Sequence, residues 1–160
     1  MQYQTMMMVG PQVATRTLYE EFRQLRNKAV RRKLFSWLFG RRHRLINLGE
    51  VQKRVKVDTR AHGGIKLVPV EKIRGSINRC HDFDADFRPL QEYTKERWVN
   101  IALAYSRDEG LPPVELVDLD DTYFVIDGHH RISVAKMLGQ REIEAEVTVW
   151  RKAALSGEGG

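Results

Sequence analysis

The sequence predicts a small mixed α/β (α+β) domain with flanking helices, preceded by a basic helical extension. Strand patterns and helix patterns alternate along residues 65–150, as they do in a mixed sheet with helices packed on it. Residues 16–60 instead carry helical periodicity and most of the positive charge. With 160 residues, of which 42% are hydrophobic, the chain is long enough for one domain with its own core.

The extension is predicted to contain one long helix. Residues 1–15 have no periodicity and are expected to be disordered, whereas residues 17–39 repeat apolar side chains at helical spacing up to a stop at Gly40. One stripe comprises Leu18, Phe22, Leu25 and Ala29, and a second stripe, displaced by one residue, comprises Val30, Leu34, Trp37 and Leu38. A short helix at residues 48–55 and a glycine-containing linker at residues 58–64 are expected to follow.

Positive charge is concentrated in this extension. Residues 16–60 contain fourteen Lys or Arg against four Asp or Glu, whereas the whole chain has a net charge of only +6. Such a basic segment is typical of proteins that bind phosphate backbones or anionic membranes, and it is also found on helices that only cap a core. The candidate nucleic-acid contacts are Arg23, Arg26, Arg31, Arg32, Lys33, Arg41, Arg42 and Arg44.

The compact domain is predicted over residues 65–150. Its apolar alternation, turn residues and glycine or proline stops define the elements. They are a strand at 65–70, a turn at 71–76, an irregular polar segment at 78–84, a helix at 91–107, a hairpin of strands 113–119 and 122–126, a helix at 128–138, a strand at 143–150 and a flexible tail at 151–160.

Several classes of protein are excluded by composition. The longest apolar runs are too short to cross a membrane, and the N-terminal residues lack the pattern of a signal peptide, so a cytoplasmic location is expected. The single cysteine, Cys80, cannot form an internal disulfide, and no thiolate zinc site is expected. Cys80 beside His81 could also suggest a thiol nucleophile, but neighbours in an extended segment point apart.

A polar cluster stands at the junction of a strand and a helix. The strand pattern ends at Ile126, and Asp127, Gly128, His129, His130 and Arg131 follow where the helix pattern begins. Helix starts expose amide groups without intrahelical acceptors and favour anions, glycine permits close approach, and arginine can present a planar fork to phosphate. This cluster therefore predicts a phosphate site, although adjacent histidines about 100° apart rarely face one ligand together.

Metal binding is an alternative reading of the same cluster. Asp127, His129 and His130 could bind a divalent ion, but adjacent histidines converge less readily than i, i+4 pairs. No intrinsic metal site is therefore expected. A magnesium ion carried in with a nucleotide is favoured instead, with Asp127 and either Asp82 or Asp84 as carboxylate ligands.

The order of these blocks resembles the ParB/sulfiredoxin-like superfamily, as found in the N-terminal domain of chromosome-partitioning ParB proteins. The segments that carry the resemblance are VPVEKIRGSINRCHDFD, LPPVELVDLDDTYFVIDGHHR and ISVAKMLGQREIEAEV, within residues 66–150. The resemblance implies a small mixed sheet and a nucleotide held between the G-H-H-R box and the polar segment that begins at Arg79. It covers the compact domain and leaves the basic extension outside.

The box departs from two branches of the superfamily and equals the motif of a third letter for letter. ParB proteins bind CTP through G-E-R-R, and sulfiredoxins bind ATP beside a catalytic cysteine in G-C-H-R, where this chain has His129. A branch with D-G-H-H-R phosphorylates free serine with ADP, but it also uses a glutamate in a P-H-E turn, where this chain has only His81 and Asp82. Sulfiredoxin activity is therefore not expected.

The leading hypothesis is a nucleotide-binding, ParB-like module associated with non-specific DNA through its basic helix. Its ligand would be ATP, ADP or CTP, with or without magnesium, and the oligomeric state is left open. A small-molecule phosphotransferase, with Asp82 or Asp127 as base, is the first alternative. A metal-dependent ParB-like nuclease is the second.

Overall fold

A computed structural model of the chain describes residues 11–40 and 43–153. Within that part, helices precede and separate the strands of a single sheet. In chain order the elements are α1 (Pro11–Phe39), β1 (Ile46–Asn47), α2 (Leu48–Gln52), β2 (Val57–Pro69), β3 (Ile73–Ser76), α3 (Lys95–Ser106), β4 (Val114–Leu119), β5 (Thr122–Asp127), α4 (His129–Met137) and β6 (Glu142–Lys152), with 3-10 turns at Val70–Lys72 and Glu92–Thr94.

The strands form one mixed sheet in the order β1-β3-β5-β4-β6-β2. β3 lies parallel to β5 and β4 lies parallel to β6, whereas β4–β5 and β2–β6 are antiparallel pairs. Asp120 and Asp121 turn the β4–β5 hairpin with φ of 51° and 59°, the left-handed conformation that two-residue hairpin loops need. The predicted mixed α/β class is confirmed.

The linker predicted at residues 58–64 is wrong, because these residues belong to β2. That strand pairs with β6 from Val57 opposite Lys152 to Pro69 opposite Glu142, and its register shifts between His62 and Ile65. The shift accommodates the two glycines: Gly64 has a φ of +73°. Glycine therefore marks a bulge in a strand here, and cross-strand pairing overrides the local turn signal.

Three other segments also contain more helix or strand than the sequence predicted. α1 begins at Pro11, so residues 11–15 are helical and not disordered, while residues 1–10 lie outside the described part. The turn predicted at residues 71–76 contains strand β3, which pairs with β5. β6 continues to Lys152, two residues into the predicted tail, and residues 154–160 are not described.

Helix α4 lies between the sheet and the helical layer. Ile132 and Ala135 pack into the core of the sheet, whereas Val134 packs with α1 and α3. Trp98 of α3 is fully buried, and its indole N–H donates to Ser133 Oγ at 2.9 Å. The start of α4 is therefore fixed from both sides.

The two apolar stripes of α1 have different environments. Leu18, Phe22 and Ala29 of the first stripe are buried, so this part of the helix caps the core as one reading of the sequence allowed. Val30, Leu34, Trp37 and Leu38 of the second stripe are all exposed. No helix in the described residues is long and apolar enough to span a membrane.

Candidate functional site

Gly128 connects β5 to α4 in a conformation that other residues adopt poorly. Its φ is +101°, and a Cβ built on it would lie 2.5 Å from Cγ1 and 2.8 Å from Cβ of Val114. The chain can therefore turn abruptly from the strand into the helix only with glycine at this position. The turn brings the first amides of α4 to the end of the sheet, where they lack intrahelical acceptors.

Arg131 stabilises this junction. Its Nη1 donates to the carbonyl oxygens of Pro112 and Pro113 at 2.5 and 2.9 Å, and its Nη2 contacts Asp127 Oδ2 at 2.6 Å. The side chain is 11% exposed, whereas that of Asp127 is 55% exposed. The guanidinium predicted to bind phosphate is thus engaged by the loop before β4, and it holds that loop against the start of α4.

His129 is fixed by the end of β3. Ser76 Oγ accepts the amides of Asn78 and Arg79 at 3.2 and 3.1 Å, so its own hydrogen is free to be donated to His129 Nε2 at 2.7 Å. This pattern assigns the imidazole proton to Nδ1. Burial, followed by repulsion from Arg79, lowers the pKa of His129 from 6.5 to about 4, so the ring is neutral at pH 7.

His130 is buried in the first turn of α4 and is 5% exposed. Its Nε2 has no hydrogen-bond partner among the described residues. Burial, followed by repulsion from Arg97 and Arg79, lowers its pKa to about 4. Phe83 packs between the histidines, with its ring stacked 5.9 Å from His129 and edge-on 5.3 Å from His130.

The polar segment after β3 places a carboxylate beside the histidines. Asp82 accepts the Tyr93 hydroxyl at 2.7 Å and contacts Arg79 Nη1 at 3.4 Å, and its side chain is 17% exposed. The charges of Arg79, Asp82 and Asp127 act on both imidazoles. The structure therefore brings together five of the residues that the sequence suggested, namely Arg79, Asp82, Asp127, His129 and His130.

Two other candidates from this segment have structural roles. Asp84 is 1% exposed, and its Oδ1 accepts the amides of Asp86 and Arg88 at 2.9 and 2.8 Å. Its carboxylate therefore stabilises the loop through these two hydrogen bonds. It is not placed to bind magnesium, which the sequence had suggested for Asp84. Burial raises the pKa of the Cys80 thiol, which keeps it protonated and unreactive. In residues 11–40 and 43–153, no three His, Cys, Asp or Glu side chains are grouped to hold a metal ion.

Sequence reasoning missed three contributors to the site. Ser76, Tyr93 and Arg97 come from β3, the 3-10 turn and α3, respectively. Each is an ordinary polar residue in its own segment, so no local signal marks it. Ser76 is the exception, because it ends a strand that lies parallel to β5, and β5 also ends in polar residues. Polar residues at the ends of neighbouring parallel strands are a signal that could have been used.

The basic residues of the extension fall into two groups, those that contact the domain and those that are exposed. Arg26 donates to the Leu90 carbonyl at 3.2 Å and contacts Glu92, and Arg32 is paired with Asp86. These two arginines hold α1 on the domain. Arg23, Arg31, Lys33 and Arg44 are exposed, whereas Arg41 and Arg42 lie outside the described residues.

Comparison with protein-family models matches residues 54–156 to the ParB N-terminal domain. The match spans more than half of the chain and includes every strand from β2 to β6 and the whole of α4. The chain belongs to the ParB N-terminal domain family. This confirms the resemblance inferred from the D-G-H-H-R box and its flanking strands, and it leaves α1 outside the family domain.

Among solved structures, this ParB-family chain is similar to sulfiredoxin from Arabidopsis thaliana. The two are 22% identical, with a TM-score of 0.40, and the similarity covers 52% of this chain and 82% of that chain. A comparison with curated proteins gives no match. The ligand of this ParB-family domain must therefore be argued from its own residues.

Proposed function

We propose that this ParB-family domain binds a nucleotide, with the phosphates at the start of α4. The backbone supports this because Gly128 brings the first-turn amides to the end of the sheet, and the helix dipole there favours negative charge. ATP, ADP and CTP all present the phosphate oxygens that such a site would accept. The nucleobase would be selected by groups outside this phosphate site.

The observation that carries the proposal is the buried Nε2 of His130. An unpaired buried polar atom costs about 1–3 kcal/mol, so a folded chain retains one mainly where something else supplies its partner. With its proton on Nε2, neutral His130 can donate to a phosphate oxygen. His129 is already paired with Ser76, so the two histidines would have different roles.

Two arginines complement the negative charge of such a ligand. Arg79 follows β3 and Arg97 lies in the first turns of α3, and both act electrostatically on His130. They would approach the phosphates from two sides, while Arg131 keeps its contacts with the Pro112 and Pro113 carbonyls. Asp127 Oδ1 would ligate a magnesium ion arriving with the nucleotide, and Asp82 would do so in place of its contacts with Tyr93 and Arg79.

Calorimetry with ATP, ADP, CTP and GTP, each with and without magnesium, tests this proposal. At least one nucleotide should bind, and His130→Ala should weaken that affinity about tenfold or more, because it removes one buried hydrogen bond to a charged group. His62→Ala, at an exposed histidine of β2, is the matched control and should bind like the wild type. Absence of binding by all four nucleotides at millimolar concentration would sink the proposal.

DNA association is a second candidate function, favoured by the charge of α1. Its exposed Arg23, Arg31 and Lys33 can contact phosphates without base readout, and such binding weakens steeply with salt. Replacing all three by Gln should lower the slope of log affinity against log salt by about three. Replacing the exposed Arg107, Arg141 and Arg151 by Gln changes the net charge equally and should leave the slope nearly unchanged. Equal losses in the two triple variants would exclude α1 as the DNA contact.

A further inference from the structure

The C-terminal half of α1 exposes large apolar side chains that the domain does not cover. Trp37 is 78% exposed and Phe39 is 71% exposed, and Leu34, Phe35 and Leu38 are exposed as well. Val30, Leu34, Trp37 and Leu38, at i, i+4, i+7 and i+8, form what we term the outer stripe. Its four side chains span about 100° around the helix axis, and the middle of the stripe lies about 130° around that axis from buried Ala29.

Basic residues border the outer stripe on both sides. At 100° per residue, Lys33 and Arg31 each lie within about 40° of one of its edges. Both are exposed, and long basic side chains in that position can extend their charges past an apolar face into a polar layer. Residues 22–49 contain no Asp or Glu. The outer stripe is thus an apolar face set in an entirely cationic segment.

We propose that the outer stripe binds an anionic lipid surface, with α1 lying in the plane of the headgroups. A helix with Trp and Leu on one side and Lys and Arg beside them matches an interfacial helix, in which apolar side chains enter the acyl boundary and cations meet lipid phosphates. Arg31 and Lys33 are also candidate DNA contacts, so lipid and duplex DNA would compete for them, but DNA would leave the tryptophan and leucines in water. A second copy would place one cationic segment against another, which is repulsive.

The fold allows this placement without disturbing the domain. α1 is held to the domain by the face that carries buried Leu18, Phe22 and Ala29. Arg26 and Arg32 add polar contacts with the domain. The outer stripe can therefore meet a surface while α3 and α4 stay packed. Membrane contact and the nucleotide site at the start of α4 use separate residues.

Tryptophan fluorescence of the full chain tests the proposal directly. Trp98 and Trp150 are buried, so Trp37 is the exposed tryptophan of the three in the chain. Vesicles of phosphatidylcholine with about 30% phosphatidylglycerol should shift its emission to shorter wavelength and sediment with the protein, whereas pure phosphatidylcholine vesicles should do so much less. Trp37→Phe should lose the shift and keep the sedimentation.

The decisive variant is Leu34→Ala with Leu38→Ala, which should lower vesicle partitioning about tenfold or more while the domain stays folded. Ile65→Ala with Leu67→Ala removes equally exposed side chains from β2 and should partition like the wild type. The proposal would be overturned if the wild type did not sediment with anionic vesicles, or if both double variants lost partitioning equally. It would also be overturned if the α1 double variant abolished a concentration-dependent dimer or a DNA complex while vesicle binding persisted.

Discussion

The free energy of unfolding should fall as the pH is lowered from about 6.5 to about 4. His129 and His130 each have a pKa of about 4 in the folded chain, mainly because they are buried, against 6.5 for an ordinary histidine. Between these values the unfolded chain binds more protons than the folded chain, so stability is fully present above about pH 6.5 and is lost as the pH falls. For two buried imidazoles the loss is on the order of 6 kcal/mol.

One other buried group acts in the opposite direction. Burial raises the pKa of the Asp84 carboxyl, so protonation of Asp84 favours the folded state as the pH falls. The measured loss should therefore be somewhat smaller than the histidines alone would give. Urea unfolding at a series of pH values measures it. Replacing His129 and His130 together by Gln should flatten the profile between pH 4 and 6.5, whereas His62→Gln should leave it as it is; a wild-type profile without any slope there would contradict the burial of neutral histidines.

Replacing Gly128 by Ala should destabilise the fold by roughly 2–5 kcal/mol. Part of this cost is the left-handed backbone, worth about 1–2 kcal/mol for a residue with a Cβ. The remainder arises because the new Cβ would meet the Val114 side chain, which is 1% exposed and has little room to move. Thermal or urea unfolding would measure the loss.

Gly139 provides the matched control for Gly128. It also has a positive φ, +72°, but nothing lies within 4 Å of its Cβ position. Gly139→Ala should therefore show only the backbone cost of about 1–2 kcal/mol. In a Val114→Ala background, Gly128→Ala should lose part of its extra cost, because the 2.5 Å contact with Cγ1 is removed while the 2.8 Å contact with Cβ remains. Equal destabilisation at the two glycines would mean that Val114 does not constrain the turn.

The sequence predicted the junction between β5 and α4 correctly because local and global signals agree there. A β-branched and aromatic run, an Asp-Gly corner and a helical apolar repeat each favour the same turn, and the fold uses it. The hairpin at Asp120 and Asp121 was predictable for the same reason. The strand at residues 58–64 was not predictable, because its two glycines indicate a turn when the pairing with β6 is not known.

Side-chain roles were harder to predict than the positions of elements. Arg131 follows the histidines in the sequence and was expected to bind phosphate, but the carbonyls of Pro112 and Pro113, nearly twenty residues away, take its donors. The charge of Arg97 acts on His130 from α3, which no periodicity indicates. Likewise, the exposure of Trp37 depends on where α1 leaves the domain, not on its apolar pattern. Each of these features depends on tertiary contacts between distant segments.

The most direct test of the phosphate site at the start of α4 is a nuclear magnetic resonance titration of the histidine ring nitrogens. If a nucleotide phosphate accepts a hydrogen bond from His130, its Nε2 resonance should shift on addition of the nucleotide, and the pKa of His130 should rise from about 4 because the anion favours the charged ring. His129, paired with Ser76, should change much less. Nucleotide binding that leaves the His130 nitrogens and their titration unchanged would contradict the proposed site.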